Sequence, residues 1–478
     1  MEISRGSMSL RMHPRVREPN FATPWKGGGI GCAREDRFPP RHLGGAETYL
    51  HRTWGCARNL ACPRLLSLAP PELKNLSSFS ISIRSTLAVV FAVVICRGTR
   101  QTRVSIMKCF TQAALFLLCF TSVTNRAVEL VDGRSSLIFE NSKSRLVIDL
   151  AGGSYREFRF LDGTVNPFNW GQPGPGVTNP KVMGHFLCLD RWGPPSVNEG
   201  ANGMPYHGEA GSVVWQVDEE VHSHDGAAHA SMHAILPLAG IGIRRSIQVA
   251  AGQPVALIRE TVSNRNKRGR PYNMVQHPSI APPFLTENTV VDANGRKGFA
   301  QGGTLPNPEE PSFHWPQALN RDGGIVNLRH LHGDHDPGVT SFAIDDSIGW
   351  VTAATPETGL LIGYLWPTED YPWLDIWRNS SNGKPSARGL EFGTTGLHQP
   401  FPVLMEKGRI FGRRIFEYLD ANESATKRFA VFLLQIPADF VGVGDVRLTS
   451  EEIRVTERTE SRARTFTIPL NGLDLEFH

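Results

Sequence analysis

"SSLIFENSKSRLVIDLAGGSYREFRFLDGTVNPFNW", residues 135–170, reads as strand, turn and strand again. In "RLVIDL" and "YREFRF" apolar and polar residues alternate, the period of a chain whose side chains point to opposite faces of a sheet. Gly152-Gly153 and Asp162-Gly163 are residue pairs that tight turns favour. The habit persists in "SVVWQVDEEVHSH" (212–224), "ASMHAILPLAGIGIRRSIQVA" (230–250) and "PVALIRETVSNR" (254–265). It returns in "WVTAATPETGLLIGYLWP" (350–367), "RIFGRRIFEYL" (409–419) and "KRFAVFLLQI" (427–436). No stretch carries the period of a helix of three or more turns. Without a repeat of about 40 residues a propeller is disfavoured, and the pattern predicts an all-β domain, one large antiparallel β-sandwich.

The composition agrees. Of 478 residues, 40% are apolar and 20% charged, and 47 Gly with 34 Pro favour turns over long helices. The net charge of +4 is unevenly spread: residues 1–106 hold 14 Arg and 2 Lys against 6 acidic residues, a balance of +10 that leaves −6 for the remainder. That remainder has no run of Lys and Arg suited to a phosphate backbone, so nucleic acid is not an expected partner. Six of the 7 cysteines precede residue 120, and Cys188 in "HFLCLD" is alone after it. A lone cysteine cannot close an internal disulfide and reads as a small buried apolar residue.

Upstream of residue 128 the text changes. Residues 1–106 are rich in Arg, Pro, Gly and Cys and lack either period. They are expected to be a disordered basic extension, upstream sequence translated ahead of a start at Met107. The apolar run "TLAVVFAVVIC" (86–96) is about half the length that spans a bilayer, so stable membrane insertion is not expected. "MKCFTQAALFLLCFTSVTNRAVEL" (107–130) has a short positive start, an apolar centre and small polar residues after it. That is the anatomy of a secretory signal peptide over 107–126, which predicts export to a periplasmic or extracellular location and a folded domain over 127–478.

"RHLHGDHDPG" (329–338) spells H-x-H-x-D-H with His330, His332, Asp334 and His335. Metal-dependent hydrolases hold a zinc pair with that spacing. Here about 200 residues of strand-like sequence precede it, no helices flank it, and the remaining ligands would have to be His398 and His478. Asp and Gly favour turns, so the expectation is a polar turn, with a metal-dependent hydrolase as the rival reading.

Three other stretches combine. In "GMPYHGEAGSVVW" (203–215), His207 stands between turns ahead of a strand. In "MVQHPSIAPPFL" (274–285), His277 precedes a proline, which suggests that it ends a regular ladder. In "GLEFGTTG" (389–396), Glu391 lies between Leu390 and Phe392 at an expected strand start, half-buried, where its pKa rises toward that of a useful base. Taken singly, each has a plainer reading as a surface or core side chain.

Together, and in this order on a β-sandwich, they resemble the aldose 1-epimerase (galactose mutarotase-like) superfamily from about Ser136 to Pro437. The opening hairpin with its asparagine-containing loop is similar to that family's first hairpin, and "MPYHGEAGSVVW" is similar to the hexose-phosphate version of its first motif. The resemblance implies His277 as general acid toward the ring oxygen of a sugar, Glu391 as general base toward the anomeric hydroxyl, and His207 as a sugar-orienting residue. It implies no metal and no cofactor. The phosphate-sugar version has an arginine where this chain has Gly211, so the expected ligand is an unphosphorylated sugar or oligosaccharide.

Arg191 in "CLDRWG" is a candidate ligand-facing arginine, and Asp375 in "DYPWLDIWRN" a candidate sugar-binding carboxylate. The aromatic cluster of Trp366, Tyr371, Trp373 and Trp377 is read as a Pro-rich loop whose rings stack on pyranose faces, or else seal the end of the sandwich. Three functions stay open: an anomer-interconverting enzyme, a non-catalytic carbohydrate-binding protein on the same fold, and the metal-dependent hydrolase.

Overall fold

The computed structural model describes residues 128–320, 322–330, 337–459, 463–473 and 477. The readings of residues 1–106 and 107–126, and those of His332, Asp334 and His335, lie outside the described residues.

The opening stretch forms the expected hairpin. Arg134–Glu140 pairs antiparallel with Ser144–Asp149, which pairs in turn with Tyr155–Phe160. Asn141 closes the first turn, its side-chain oxygen accepting the N–H groups of Lys143 and Ser144 at 2.9 Å each. Alternation does not mean one wet face here, because Ser144–Asp149 is buried along nearly its whole length. The polar members are buried as partners: Arg134 donates to Asp149 at 2.9 Å from Nη2.

Among the described residues these strands open a 12-stranded sheet. The path runs on through His185–Asp190, Arg270–Ile280, Lys384–Gly393, Trp373–Ser381, Gly338–Ile344, Gly295–Ala300 and Ser312–His314. An 8-stranded sheet faces it: Val290–Ala293, Ile348–Thr355, Leu360–Pro367, Ser424–Gln435, Val255–Asn264, Ile241–Ala250, Ala227–Leu236 and Gln216–His224. Among the described residues the named strands all pair antiparallel, as expected for an all-β sandwich. The described helices longer than a 3-10 turn are short, Val197–Ala201 and Phe401–Lys407.

The core lies between the two sheets. Leu187, Phe392, Leu374 and Phe342 from the larger sheet meet Ile247, Ile258, Val431 and Tyr364 from the smaller one. A second apolar cluster joins Leu361, Leu365 and Phe432 to Val446, Ile453 and Ile468 of a three-stranded sheet near the C-terminus. No helix among the described residues is long and apolar enough to cross a membrane.

Candidate active site

Register builds the site. His277 on Arg270–Ile280 pairs with Phe186. The ladder that sets Gln276 opposite Phe392 brings His277 opposite Glu391. Glu391 pairs with Asp375, and Asp375 with Ser341. Phe186, His277, Glu391, Asp375 and Ser341 thus form one row across five neighbouring strands. Paired residues point to the same side of a sheet, and the next row over, Leu187–Gln276–Phe392–Leu374–Phe342, faces the core. The functional row therefore lies on the face turned away from the core.

The strand expectations need two corrections. His277 does not end a ladder: pairing continues through Pro278 opposite His185 and Ser279 opposite Gly389. Glu391 lies near the end of Lys384–Gly393 and is fully buried rather than half-buried.

Nε2 of His277 is 3.2 Å from Oε1 of Glu391. The other carboxylate oxygen accepts Nε1–H of Trp192 at 2.8 Å. His277 stacks on Phe186 at 4.2 Å between centroids, and its Nδ1 is 3.0 Å from Oγ of Ser279. That hydroxyl is also 3.4 Å from the His277 carbonyl, to which it donates. Nδ1–H is then the donor to Oγ, and Nε2 is the nitrogen that faces Glu391. Behind His277, Gln276 locks the strand from the core side through His185 at 3.1 Å, Tyr371 at 3.1 Å and Glu260 at 2.5 Å.

Two loops complete the wall. His207 has φ +67° and takes the Gly193 N–H on its Nδ1 at 3.1 Å. Its ring is 5.5 Å from that of His277 and 5.6 Å from that of His398. Nε2 of His398 is 3.0 Å from the Tyr206 hydroxyl, and its ring packs on Trp192 at 4.7 Å. Gly193 permits this approach: with φ +101°, a Cβ there would stand 2.8 Å from the His398 ring. Half-buried Trp377 sets its ring edge-on to His277 and to Trp170, at 5.7 Å from each.

Burial dominates the electrostatics. It pushes the Glu391 carboxyl well above the usual carboxylate range; Asp375, when ionised, adds to the rise and the Trp192 N–H opposes it. Asp375 is likewise raised by burial, opposed by the Ser341 hydroxyl. Burial lowers His277 to about 3 and His398 to about 4. His207 falls well below the imidazole range through burial and then the charges of His277 and His398. These shifts favour the neutral forms of the carboxyls and of the imidazoles. A proton passed from Glu391 to His277 across their 3.2 Å contact would leave a carboxylate beside an imidazolium.

Of the residues singled out in the sequence, His207, His277, Glu391, Asp375 and Trp377 are brought together. Arg191 is not: its guanidinium pairs with Asp190 at 2.5 Å and Glu199 at 2.8 Å and lies over the Phe401 ring, all outside the row. Trp373 is fully buried, donates to the Arg414 carbonyl at 2.8 Å and packs with Phe299, Leu397 and Phe401. It packs into an apolar cluster on the outer face of the larger sheet instead of facing a ligand. Trp366 and Tyr371 are core residues too, and Trp373–Ser381 is a strand where a loop was expected. Trp192 and His398 were missed as site residues. Trp192 was legible only as the neighbour of Arg191, and His398 only as a distant metal ligand. Cys188 is free and buried, beside Phe186, Trp192 and Val275.

His330 lies 3.2 Å from Arg329, its pKa lowered by burial and by that guanidinium. Among the described residues no group of three His, Cys, Asp or Glu side chains is arranged to hold a metal. A cavity of about 490 Å³ lined by Lys143, Phe160, Asp162, Gln253 and Gln435 shares no residue with the row. Its titratable side chains are Lys143, which bonds Gln253 at 3.0 Å, and Asp162.

No protein-family model matches the chain, and no curated protein matches it. Solved structures do. A galactose mutarotase-like protein of Clostridium acetobutylicum is 15% identical with a TM-score of 0.50, over 64% of this chain and 98% of that one. A galactose mutarotase-like protein of Lactobacillus casei is 15% identical with a TM-score of 0.44, over 63% of this chain and 100% of that one. A galactose mutarotase related enzyme of Lactobacillus acidophilus is 12% identical with a TM-score of 0.45, over 66% and 100%. The fold likeness rests on the first of these, and identities this low speak to fold alone. The described domain has the galactose mutarotase-like β-sandwich fold.

Proposed function

We propose that this mutarotase-like sandwich interconverts the anomers of an unphosphorylated sugar, or of the reducing end of an oligosaccharide, by acid–base catalysis at His277 and Glu391. The observation that carries the reading is the buried 3.2 Å contact between Nε2 of His277 and Oε1 of Glu391. The ring oxygen and the anomeric oxygen of a pyranose are bonded to the same carbon. An acid and a base side by side therefore reach both.

Ring opening then balances without further reagents. The Glu391 carboxylate takes the proton of the anomeric hydroxyl, the C1–O1 bond becomes a carbonyl and the C1–O5 bond breaks. His277 gives its proton to O5. Rotation about C1–C2 and the reverse steps close the ring on the other face and return both protons. His207 and His398 are suited to hydroxyl contacts, and Trp377 and Trp170 supply rings for the apolar face of the sugar. The row itself carries no Arg or Lys, which favours an unphosphorylated substrate. Export behind the apolar segment that follows Met107 belongs to the same proposal.

Polarimetry on fresh α-glucose and α-galactose tests the reading. Acceleration over buffer, lost in Glu391→Gln, is the expected result; no acceleration across a panel of free sugars sinks it. Sugar binding without acceleration in the parent protein would favour the carbohydrate-binding alternative.

A further inference from the structure

Among the described residues no basic group acts on Asp375. It is fully buried, and neither of its oxygens has a hydrogen-bond partner of regular geometry. It stands directly opposite Glu391, itself fully buried, on the neighbouring strand. Directly opposed side chains have Cβ atoms about 4.5–5.5 Å apart. Beyond burial, the groups that act on the pair are few. Ser341 is opposite Asp375 on its other side, its hydroxyl accepting from Gln301 at 2.7 Å and favouring the ionised form of Asp375. Trp192 and His277 serve Glu391. Trp373 and Trp377 flank Asp375 on its own strand and are uncharged.

Two anions buried side by side without a cation between them are not sustainable, so at least one carboxyl of the pair keeps its proton at neutral pH. The surroundings say which. Glu391 receives an indole N–H at 2.8 Å, which favours its ionised form. Asp375 receives no such N–H, and the Ser341 hydroxyl opposes its neutral form without a regular hydrogen bond.

We propose that Asp375 is a positioning residue, held as a neutral carboxylic acid so that Glu391 is the one member of the pair able to ionise. This assigns Asp375 a role that acts through Glu391, where the sequence suggested contact with the sugar. With Asp375 neutral, the remaining proton is exchanged between Glu391 and His277, and the carboxylate–imidazolium form is within reach. With Asp375 ionised, its charge holds that proton on Glu391 and the base is lost. The proposal rests on the acid–base reading for its consequence in catalysis, but the protonation of Asp375 is a property of the free protein.

Infrared spectroscopy at pH 7, with and without ¹³C-labelled aspartate, reads it directly. Three outcomes support it together: a neutral-carboxyl band in the parent that moves on labelling, its persistence in Glu391→Gln, and its loss in Asp375→Asn. A parent with no such band, or a band that Asp375→Asn keeps and Glu391→Gln removes, overturns it. Because no sugar is involved, failure of the mutarotase reading leaves this result standing. If the enzyme is active, Asp375→Asn, which cannot ionise, loses the decline of kcat/KM at alkaline pH, a change that a packing role for Asp375 would not produce. A loss of about 100-fold at all pH values with the fold intact would again overturn the assignment.

Discussion

Oε1 of Glu391 occupies the space above Gly389 where any other residue would carry its Cβ: a Cβ built there would stand 2.7 Å from that oxygen and 2.9 Å from the Cβ of Trp377. The glycine two residues before the base, with no special backbone angle, is thus a seat for the carboxylate. Gly389→Ala is expected to displace the carboxylate by a fraction of an ångström to an ångström. Misplacement on that scale reduces turnover roughly 100-fold. Polarimetry beside an unchanged far-ultraviolet circular dichroism spectrum checks it.

Glu391→Gln should cut turnover by roughly 10²–10⁴-fold while leaving sugar affinity largely intact. It should also stabilise the protein. Glu391 has a folded-state pKa raised above its unfolded value. Between those two values the folded protein holds more protons than the unfolded chain, so stability falls as pH rises through that window. The penalty is present at pH 7 and disappears below the unfolded pKa. Calorimetry should therefore find the variant melting higher than the parent at pH 7, by about 2 °C or more, with the gap closing toward pH 4.

Trp192→Phe removes the 2.8 Å N–H bond that favours the ionised form of Glu391. Its carboxyl pKa should then rise further. The base is used as a carboxylate, so activity should be lost at a higher pH as the solution is acidified. A hydrogen bond to a charged group contributes about 1.5–3 kcal/mol, which places the shift of the acid limb of kcat/KM at about one to two pH units. An unmoved limb would remove Trp192 from the site's electrostatics.

The two tryptophans of "WLDIW" should behave oppositely. Trp377 is half-buried and edge-on to His277, so Trp377→Ala should raise KM several-fold with little change in melting temperature. Trp373 is fully buried and bonded to the Arg414 carbonyl, so Trp373→Ala should destabilise the fold by about 3–5 kcal/mol. Urea denaturation and saturation kinetics on both variants separate the roles.

Much of this is legible in the sequence. Alternation in residues 135–170 is local, because side-chain direction in a strand repeats every two residues, and it predicted the hairpin. The same parity puts Trp373, Asp375 and Trp377 on one side of Trp373–Ser381. Parity does not say how deep each lies. The Phe299–Leu397–Phe401 cluster buries the first, and the neighbouring carboxyl claims the second. Arg191 looked free in the sequence because Glu199, its partner, sits on a helix that follows a turn.

By itself the sequence determined the class of the fold, the strands, and the polar residues His207, His277 and Glu391 that have no place in an apolar core. Only the tertiary structure decided that they meet. His277 and Glu391 are 114 positions apart, and their contact depends on two strands being neighbours in register. Strand order and register are set by the packing of whole faces, a non-local sum that no short window of residues contains. The burial that raises Glu391 and Asp375 together comes from that same packing.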